Sequence, residues 1–592
     1  MIEIKQQIEE TLKGILLQRG IQRERVQVEI PTDSQHGDLT SNIAMQLSKD
    51  LKSNPMEIAS EIVSSFPKDD NIAKIEVVKP GFINFFFSDK YLFTVLDRIN
   101  NDENYFNLDI LKGKKYIIEY TDPNPFKVFH IGHLYTNMVG ESLACLVEAL
   151  GASVVRANYQ GDVGLHVAKT IWGLMEMLKN ESRSFESLNN LSLEERMRYL
   201  GDAYMLGFKM YDDLKDEKII SQIKDINHFV FCMFIPCIEK REYKFDTVLV
   251  KEIYFKGREW SLEYFEKIYR RTGTKFDKYY FESKMGERGL EIVMDNIDGK
   301  GENLFTRSKG AIVYEGDESK GLHTRVFVNN EGLPTYEAKE LALPFRKYED
   351  TEFDKSITIT ADEQSSYFKV VFDALSQLDK ELAKKSEHIS HGMVKLPGAR
   401  KMSSRKGQII EGEWLLNETA EKVEQLMHSS GKWQRDQLAG LSESIAVGAI
   451  KYAFIRVGIG RDVIFDFEDS ITFDGDTGPY LLYVYARCNS ILKGADFKYS
   501  HQGHIEVNAY TKELVRVISR YKEYLVTASL NYSPSSLCAY LFELGQTFNT
   551  FYQNVRVLDS KDRDFLLSVV NATAQIVKHG LNALGIGVVD RM

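Results

Sequence analysis

The stretch that most constrains this chain runs from Tyr116 to Gly151. Tyr116 to Tyr120 is a short β-rich run, Asp122 to Pro125 is turn chemistry, and from Leu134 the apolar residues Met138, Cys145, Leu146, Ala149 and Leu150 recur at helical spacing. The reading is strand, loop, helix. Ser153 to Asn158 follows as a second strand and Gln160 to Gly164 as its exit turn, and this alternation implies a parallel sheet whose ligands bind at the carboxyl ends of its strands. Glu119 ends the first strand and Asn124 lies in the loop beyond, so both fall beside such a site.

His130-Ile131-Gly132-His133 sits where the helix begins. A helix N-terminus offers unpaired N–H groups and a partial positive charge to an anion. Gly132 lets a nucleotide approach the backbone, and two imidazoles three positions apart can donate to phosphate oxygens from one face of the first turn. A metal-binding pair is the weaker reading, because no neighbouring Cys, His or carboxylate cluster has ligand spacing. Far along the chain, Lys395 to Gly407 (KLPGARKMSSRKG) carries five basic residues, two glycines, a proline and no acid. That composition suits a cationic loop for polyphosphate.

HIGH at a strand-to-helix turn, joined to a later KMSS loop, resembles the class I aminoacyl-tRNA synthetases. The resemblance narrows to the arginyl-tRNA synthetase family through EYTDPNPFKVFHIGHLYTNMVGES, NYQGDVGLHV, PTYEAKE, ADEQSSYFK, KMSSRKG, DTGPYLLYVYARCNSI and the ending LGIGVVDRM. These motifs span nearly the whole chain. They imply a multidomain α/β protein: a Rossmann-like parallel-sheet catalytic domain with an insertion, a small α+β N-terminal domain and an all-α C-terminal domain. The implied activity is arginine–tRNA ligation. Arginine and ATP would give arginyl-adenylate, which is then transferred to the 3′ end of cognate tRNA. Two rivals stand beside it: a catalytically silent tRNA-binding paralogue, and a class I synthetase for another amino acid.

Composition sets outer limits. A chain of 592 residues exceeds one hydrophobic core, and 43% apolar with 27% charged residues is a globular composition. No run of about eighteen apolar residues occurs, so no membrane span is expected. Five cysteines without a CxxC imply a reducing cytoplasm and no structural zinc. The net charge of −11 argues against a general nucleic-acid binder. Residues 481–592, however, hold 12 Lys and Arg against 9 Asp and Glu, which suits an RNA-facing piece on an acidic body.

The expected boundaries are 1–108 for a domain that the resemblance assigns to the tRNA elbow, 109–410 for the catalytic domain, 411–474 for a helical junction and 475–592 for an anticodon-binding domain. Within the first, the resemblance offers Asn84 as a hydrogen-bonding group and Phe82 with its neighbours as a stacking surface. Residues 171–300 read as a bracing helical insertion. The second half of the nucleotide-binding fold resumes at Ala311 to Tyr314 and Arg325 to Val328.

For the arginine site the resemblance assigns Glu119, Tyr336, Glu340 and Gln364 to the guanidinium and Asn124 to the head group. Tyr336 and Glu340 share a helix face, and a fork of donors calls for carboxylates. The family usually shows Tyr-x-x-Arg-Asp, where this chain has Lys339 and Glu340. ATP, brought in with magnesium, falls to His130, Gly132, His133, Lys401, Met402, Ser403, Ser404 and Lys406. Ser404 replaces a lysine of the wider KMSK pattern, and Lys127, just before HIGH, is a substitute cation. Catalytic roles therefore go to His130, His133, Lys127 and Lys401, with no metal ligand in the chain. Tyr483 and Arg487 on a C-terminal helix are offered to tRNA bases. The expected partners are tRNA(Arg), L-arginine and ATP, and a monomer is expected.

Overall fold

The computed structural model describes all residues except 32, 237–240, 298–302, 398–409, 430–432, 434–437, 496 and 498–506. Lys401, Met402, Ser403, Ser404 and Lys406 therefore lie outside the described residues. The chain divides into two compact units: 1–108 with 480–582 and 587–592, and 109–479 with 583–586. The first and last segments of the chain thus fall in one compact unit.

In the first unit the helix Ile2–Gln18 forms because Ile4, Ile8, Leu12, Ile15 and Leu16 make one buried stripe. β1 (Leu39–Ser41), β2 (Ile72–Val78) and β3 (Phe82–Phe87) build an antiparallel sheet in the order β1-β3-β2. Alternation along β3 sends Phe85 and Phe87 into the core. Asn84 departs from its expected role as an RNA contact. It is only 2% exposed, and its Oδ1 accepts from Thr40 Oγ1 at 2.6 Å on the paired strand β1. Phe82 and Phe86 are half-buried, and Lys74 stands over the Phe86 ring. Buried Asp38 joins the N-terminal sheet to the C-terminal helices of this unit. One oxygen accepts from Phe87 N at 2.8 Å, and the other meets Arg516 at 2.8 Å.

In the second unit, β4 (Lys115–Glu119), β5 (Ser153–Gln160), β6 (Lys278–Phe281), β10 (Lys355–Ala361) and β11 (Ser386–His391) form a five-stranded sheet in the order β11-β10-β4-β5-β6. All four pairings are parallel. A separate antiparallel sheet holds β7 (Thr306–Ser308), β8 (Ala311–Tyr314) and β9 (Arg325–Val328). This corrects two expectations. The runs 311–314 and 325–328 are strands, but they do not belong to the nucleotide-binding sheet. Conversely, residues 171–300 contain β6, an edge strand of that sheet. A four-residue KYYF run among long helices carried too little periodicity to stand out.

One core packs helices onto the sheet through Ile117, Ala157, Tyr280, Val293, Leu341, Val371 and Leu375. The strand order reverses beside β4, with β5 on one side and β10 on the other, and a crevice opens at the carboxyl ends at such a point. No helix of the described residues is long and apolar enough to cross a membrane. Cys145, Cys488 and Cys538 are free thiols, whereas Cys232 is disulfide-bonded, which five scattered cysteines did not suggest.

Candidate active site

A cavity of about 560 Å³ occupies that crevice. Every strand of the parallel sheet ends on it: Glu119 from β4, Tyr159 from β5, Glu282 just after β6, Thr360 and Ala361 from β10, and His391 from β11. The loop after β4 holds Thr121, Asp122 and Phe126 in left-handed backbone conformations, with φ of 80°, 44° and 68°. For a β-branched threonine this is strained, and the loop is held by Asn137 donating to Thr121 Oγ1 at 3.0 Å and by Tyr159 N donating to Asp122 Oδ1 at 2.7 Å.

The helix Ile131–Glu148 starts at His130 with a reciprocal cap. His130 Nδ1 accepts from Gly132 N at 3.1 Å and His133 N at 3.4 Å, while His133 Nδ1 accepts from His130 N at 3.4 Å. Both Nδ1 atoms are acceptors, so the ring protons of neutral imidazoles reside on Nε2. The rings stack at 3.7 Å between centroids. Burial, then Lys127, pushes His130 down to about 4. Burial, then His130, holds His133 well below its ordinary range. Both are therefore neutral donors at neutral pH. Gly132 has a further reason to lack a side chain: a Cβ there would stand 2.9 Å from the His130 ring.

The segment that follows the basic loop is anchored on HIGH. Ile131 N donates to Ile410 O at 2.9 Å, and Gly412 N donates to Phe129 O at 2.8 Å. At the other end, β12 (Val394–Lys395) pairs with β13 (Val463–Ile464). Lys127, the substitute cation before HIGH, is not among the residues lining the cavity. It is half-buried, its ammonium lies 5.1 Å from the centre of the Tyr204 ring, and burial followed by Lys169 lowers it to about 8.

Glu119, Asn124, His130, Gly132, His133, Tyr336, Glu340 and Gln364 all line the cavity. Asn124 fits there because its neighbour is Gly161, where a Cβ would stand 2.3 Å from Asn124 Oδ1. Glu340, one turn after Tyr336, accepts from the Tyr367 hydroxyl, and burial followed by the Glu119 carboxylate raises it to about 8. Asp122 is raised well above the carboxylate range by burial and then by Glu119.

Six carboxylates line the cavity, from Glu119, Asp122, Glu282, Glu337, Glu340 and Glu363, against Arg325 as its one cationic chain among the described residues. Glu282 is paired with buried Lys339, Glu337 with Arg325 at 3.6 Å and Glu119 with Lys347 at 2.7 Å. Asp122 and Glu340 have no cationic partner among the described residues.

Sequence reasoning missed Asp122, Glu282, Lys347 and Tyr367. Tyr367 lies in the noted stretch ADEQSSYFK, three residues after Gln364, and Lys347 lies two turns after Glu340. Helical spacing from the named residues was thus an available signal for both. Among the described residues no group of three or more His, Cys, Asp or Glu is placed to hold a metal.

Comparison with known proteins agrees along the chain. Residues 95–467 match the family model "tRNA synthetases class I (R), catalytic domain", residues 3–87 match "Arginyl tRNA synthetase N terminal domain" and residues 481–592 match "DALR anticodon binding domain". An arginine–tRNA ligase of Fusobacterium nucleatum is 30% identical across 96% of this chain and 95% of its own length. That of Treponema denticola is 29% identical across 97% and 96%. The Thermus thermophilus arginyl-tRNA synthetase structure superposes with a TM-score of 0.78 at 20% identity, covering 99% of this chain and all of its own, and so shares the fold. With the first model spanning most of the chain and the relatives nearly all of it, the chain belongs to the class I arginyl-tRNA synthetases.

Proposed function

We propose the following division of labour for the arginine–tRNA ligase reaction that this enzyme carries out. The observation that carries it is the surplus of carboxyl groups over cations in the cavity, where Asp122 and Glu340 face a polar space with no ion-pair partner among the described residues. A guanidinium supplies that cation and a fork of donors, and Glu119, Glu340 and Tyr336 are its acceptors, with Gln364 beside them. A neutral side chain would leave these groups unpaired. Asn124 holds the head group.

The substrate carboxylate then attacks the α-phosphorus of ATP in line, and pyrophosphate leaves. The terminal hydroxyl of the tRNA attacks the adenylate carbonyl, and AMP leaves. No protein nucleophile is used, so the protein positions the reactants and balances charge. His130 and His133 donate through Nε2–H to the phosphates, beside the helix N-terminus. Lys127, Lys401 and Lys406 supply positive charge, Met402, Ser403 and Ser404 complete the loop, and magnesium enters with ATP as part of the substrate.

On the first unit, Arg487 stacks on Tyr483 and Tyr552, with ring distances of 4.5 and 5.2 Å, and donates to Asn549 Oδ1 at 3.1 Å. This cluster, with Tyr552 exposed beside half-buried Tyr483 and Arg487, suits an unpaired base, and we assign it to tRNA contact. We assign the enzyme to the cytoplasm as a monomer. ATP–pyrophosphate exchange tests the reading, with arginine, lysine, glutamine and cysteine each run with and without tRNA. Exchange with arginine alone is the expected outcome, and exchange with another amino acid refutes the pocket.

A further inference from the structure

Lys347 lies at the floor of the arginine pocket but is not one of its lining residues. The helix Tyr336–Asp350 carries Tyr336, Glu340 and Lys347 on one stripe, at spacings of four and seven. The same face therefore presents two substrate-facing groups and, deeper, a cation. Lys347 Nζ lies 2.7 Å from Glu119 Oε2 and donates to Thr358 Oγ1 at 3.3 Å. Thr358 and Glu119 are direct cross-strand partners on β10 and β4. One ammonium thus clamps the two adjacent strand ends at the point where the sheet order reverses.

The pair is almost dry, with Lys347 2% and Glu119 1% exposed. An isolated lysine so enclosed would be costly, and so would a glutamate sharing its site with Asp122 and Glu340. Each is tolerable because of the other. Two buried lysines on this helix divide the work: Lys339 is committed to Glu282, and Lys347 to Glu119.

We propose that Lys347 is a positioning residue for arginine recognition: its ion pair pins the Glu119 carboxylate against β10, so that the guanidinium meets an acceptor already oriented. The proposal rests on the arginine-pocket reading above. Lys347 does not touch substrate. It acts through Glu119, and its removal changes arginine binding rather than the phosphate chemistry at HIGH.

The test uses the full-length enzyme in ATP–pyrophosphate exchange with tRNA present, comparing the wild type, Lys347→Met, Lys347→Arg, Glu119→Gln and the double variant. For Lys347→Met the expected results are a rise of tenfold or more in KM for arginine, with KM for ATP unchanged and kcat within about threefold. Lys347→Arg keeps the clamp and stays within about threefold of the wild type. In the Glu119→Gln background, Lys347→Met adds little, because its partner is already gone.

An unchanged KM for arginine in Lys347→Met overturns the proposal. So does a parallel rise in KM for ATP that Lys347→Arg shares, or a full additional loss in the double variant. If Lys347→Met does not fold, Lys347→Arg and the double variant, in which no buried carboxylate is stranded at this position, decide the matter by the same criteria. If Glu119→Gln itself leaves KM for arginine unchanged, the pocket reading fails, which is distinct from a failure of Lys347 alone.

Discussion

At the scale of single residues, Glu340 is where the site departs from a plain acidic pocket. Burial and the neighbouring Glu119 carboxylate raise it to about 8, against the opposing pull of Lys347 and the Tyr367 hydroxyl, with Glu282 reinforcing the rise. Below that pH the empty pocket holds a proton on Glu340, and an arriving guanidinium displaces it. Arginine affinity therefore rises with pH up to about 8, by at most tenfold per pH unit, and is flat above. The effect on folding has the opposite sense: a carboxyl with a raised value contributes stability at low pH that is lost as pH rises through about 8. KM for arginine measured from about pH 6.5 to about pH 9 should fall accordingly, and Glu340→Gln should abolish the slope. Titration calorimetry in two buffers of different ionisation enthalpy should register proton release in the wild type only.

At the scale of elements, the strand–loop–helix unit around HIGH does two jobs with the same atoms. The Nδ1 atoms of His130 and His133 cap the helix, and this leaves their Nε2–H groups for phosphate. The two jobs can be separated. His130→Asn retains an N-cap acceptor and should alter stability by less than about 1 kcal/mol, whereas His130→Ala loses the cap and should cost about 1 kcal/mol. Both variants lose the ring donor, so both should slow pyrophosphate exchange by about 10²–10³. A His130→Asn enzyme with wild-type turnover would show that the imidazole serves only as a cap.

This element was legible in the sequence because strand run, turn residues and helical spacing all agreed over thirty residues. β6 was not, since four residues between long helices carry no period. The two-lysine arrangement on the helix Tyr336–Asp350 was also hidden. A lysine on a helix reads as solvated until the fold buries it, and Lys347 is buried where its ammonium meets Glu119 of β4 and Thr358 of β10. Asn84 differs in the opposite direction: the resemblance offered it as an RNA contact, but cross-strand pairing with Thr40 satisfies it inside the sheet.

At the scale of the whole molecule, residues 583–586 belong to the catalytic unit although the helical residues before them do not. Lys451, on the helix Ala439–Ile455, is the reason this return matters. Its buried ammonium donates to Gly585 O at 2.6 Å and to Thr272 O at 3.2 Å. Burial lowers Lys451 and nearby Glu141 opposes that shift, so the carbonyls must hold a cation that is costly to enclose. Gly585 has a φ of +72°, which turns the chain so that its carbonyl can serve.

Beyond Lys451, Glu141 accepts from the Tyr120 hydroxyl at 2.5 Å and pairs with Arg156 at 3.0 Å, and Tyr120 directly follows Glu119 in the chain. The tail therefore closes a buried polar network that ends beside the arginine pocket. Deleting residues 583–592 should strand the ammonium and destabilise the catalytic unit by about 1–3 kcal/mol. It should lower the midpoint of thermal inactivation of pyrophosphate exchange. Lys451→Met should destabilise the full-length chain yet recover part of the loss in the truncated one, because it removes the charge that truncation leaves unpaired. If Lys451→Met were equally harmful in both backgrounds, the tail carbonyl would not be what holds Lys451.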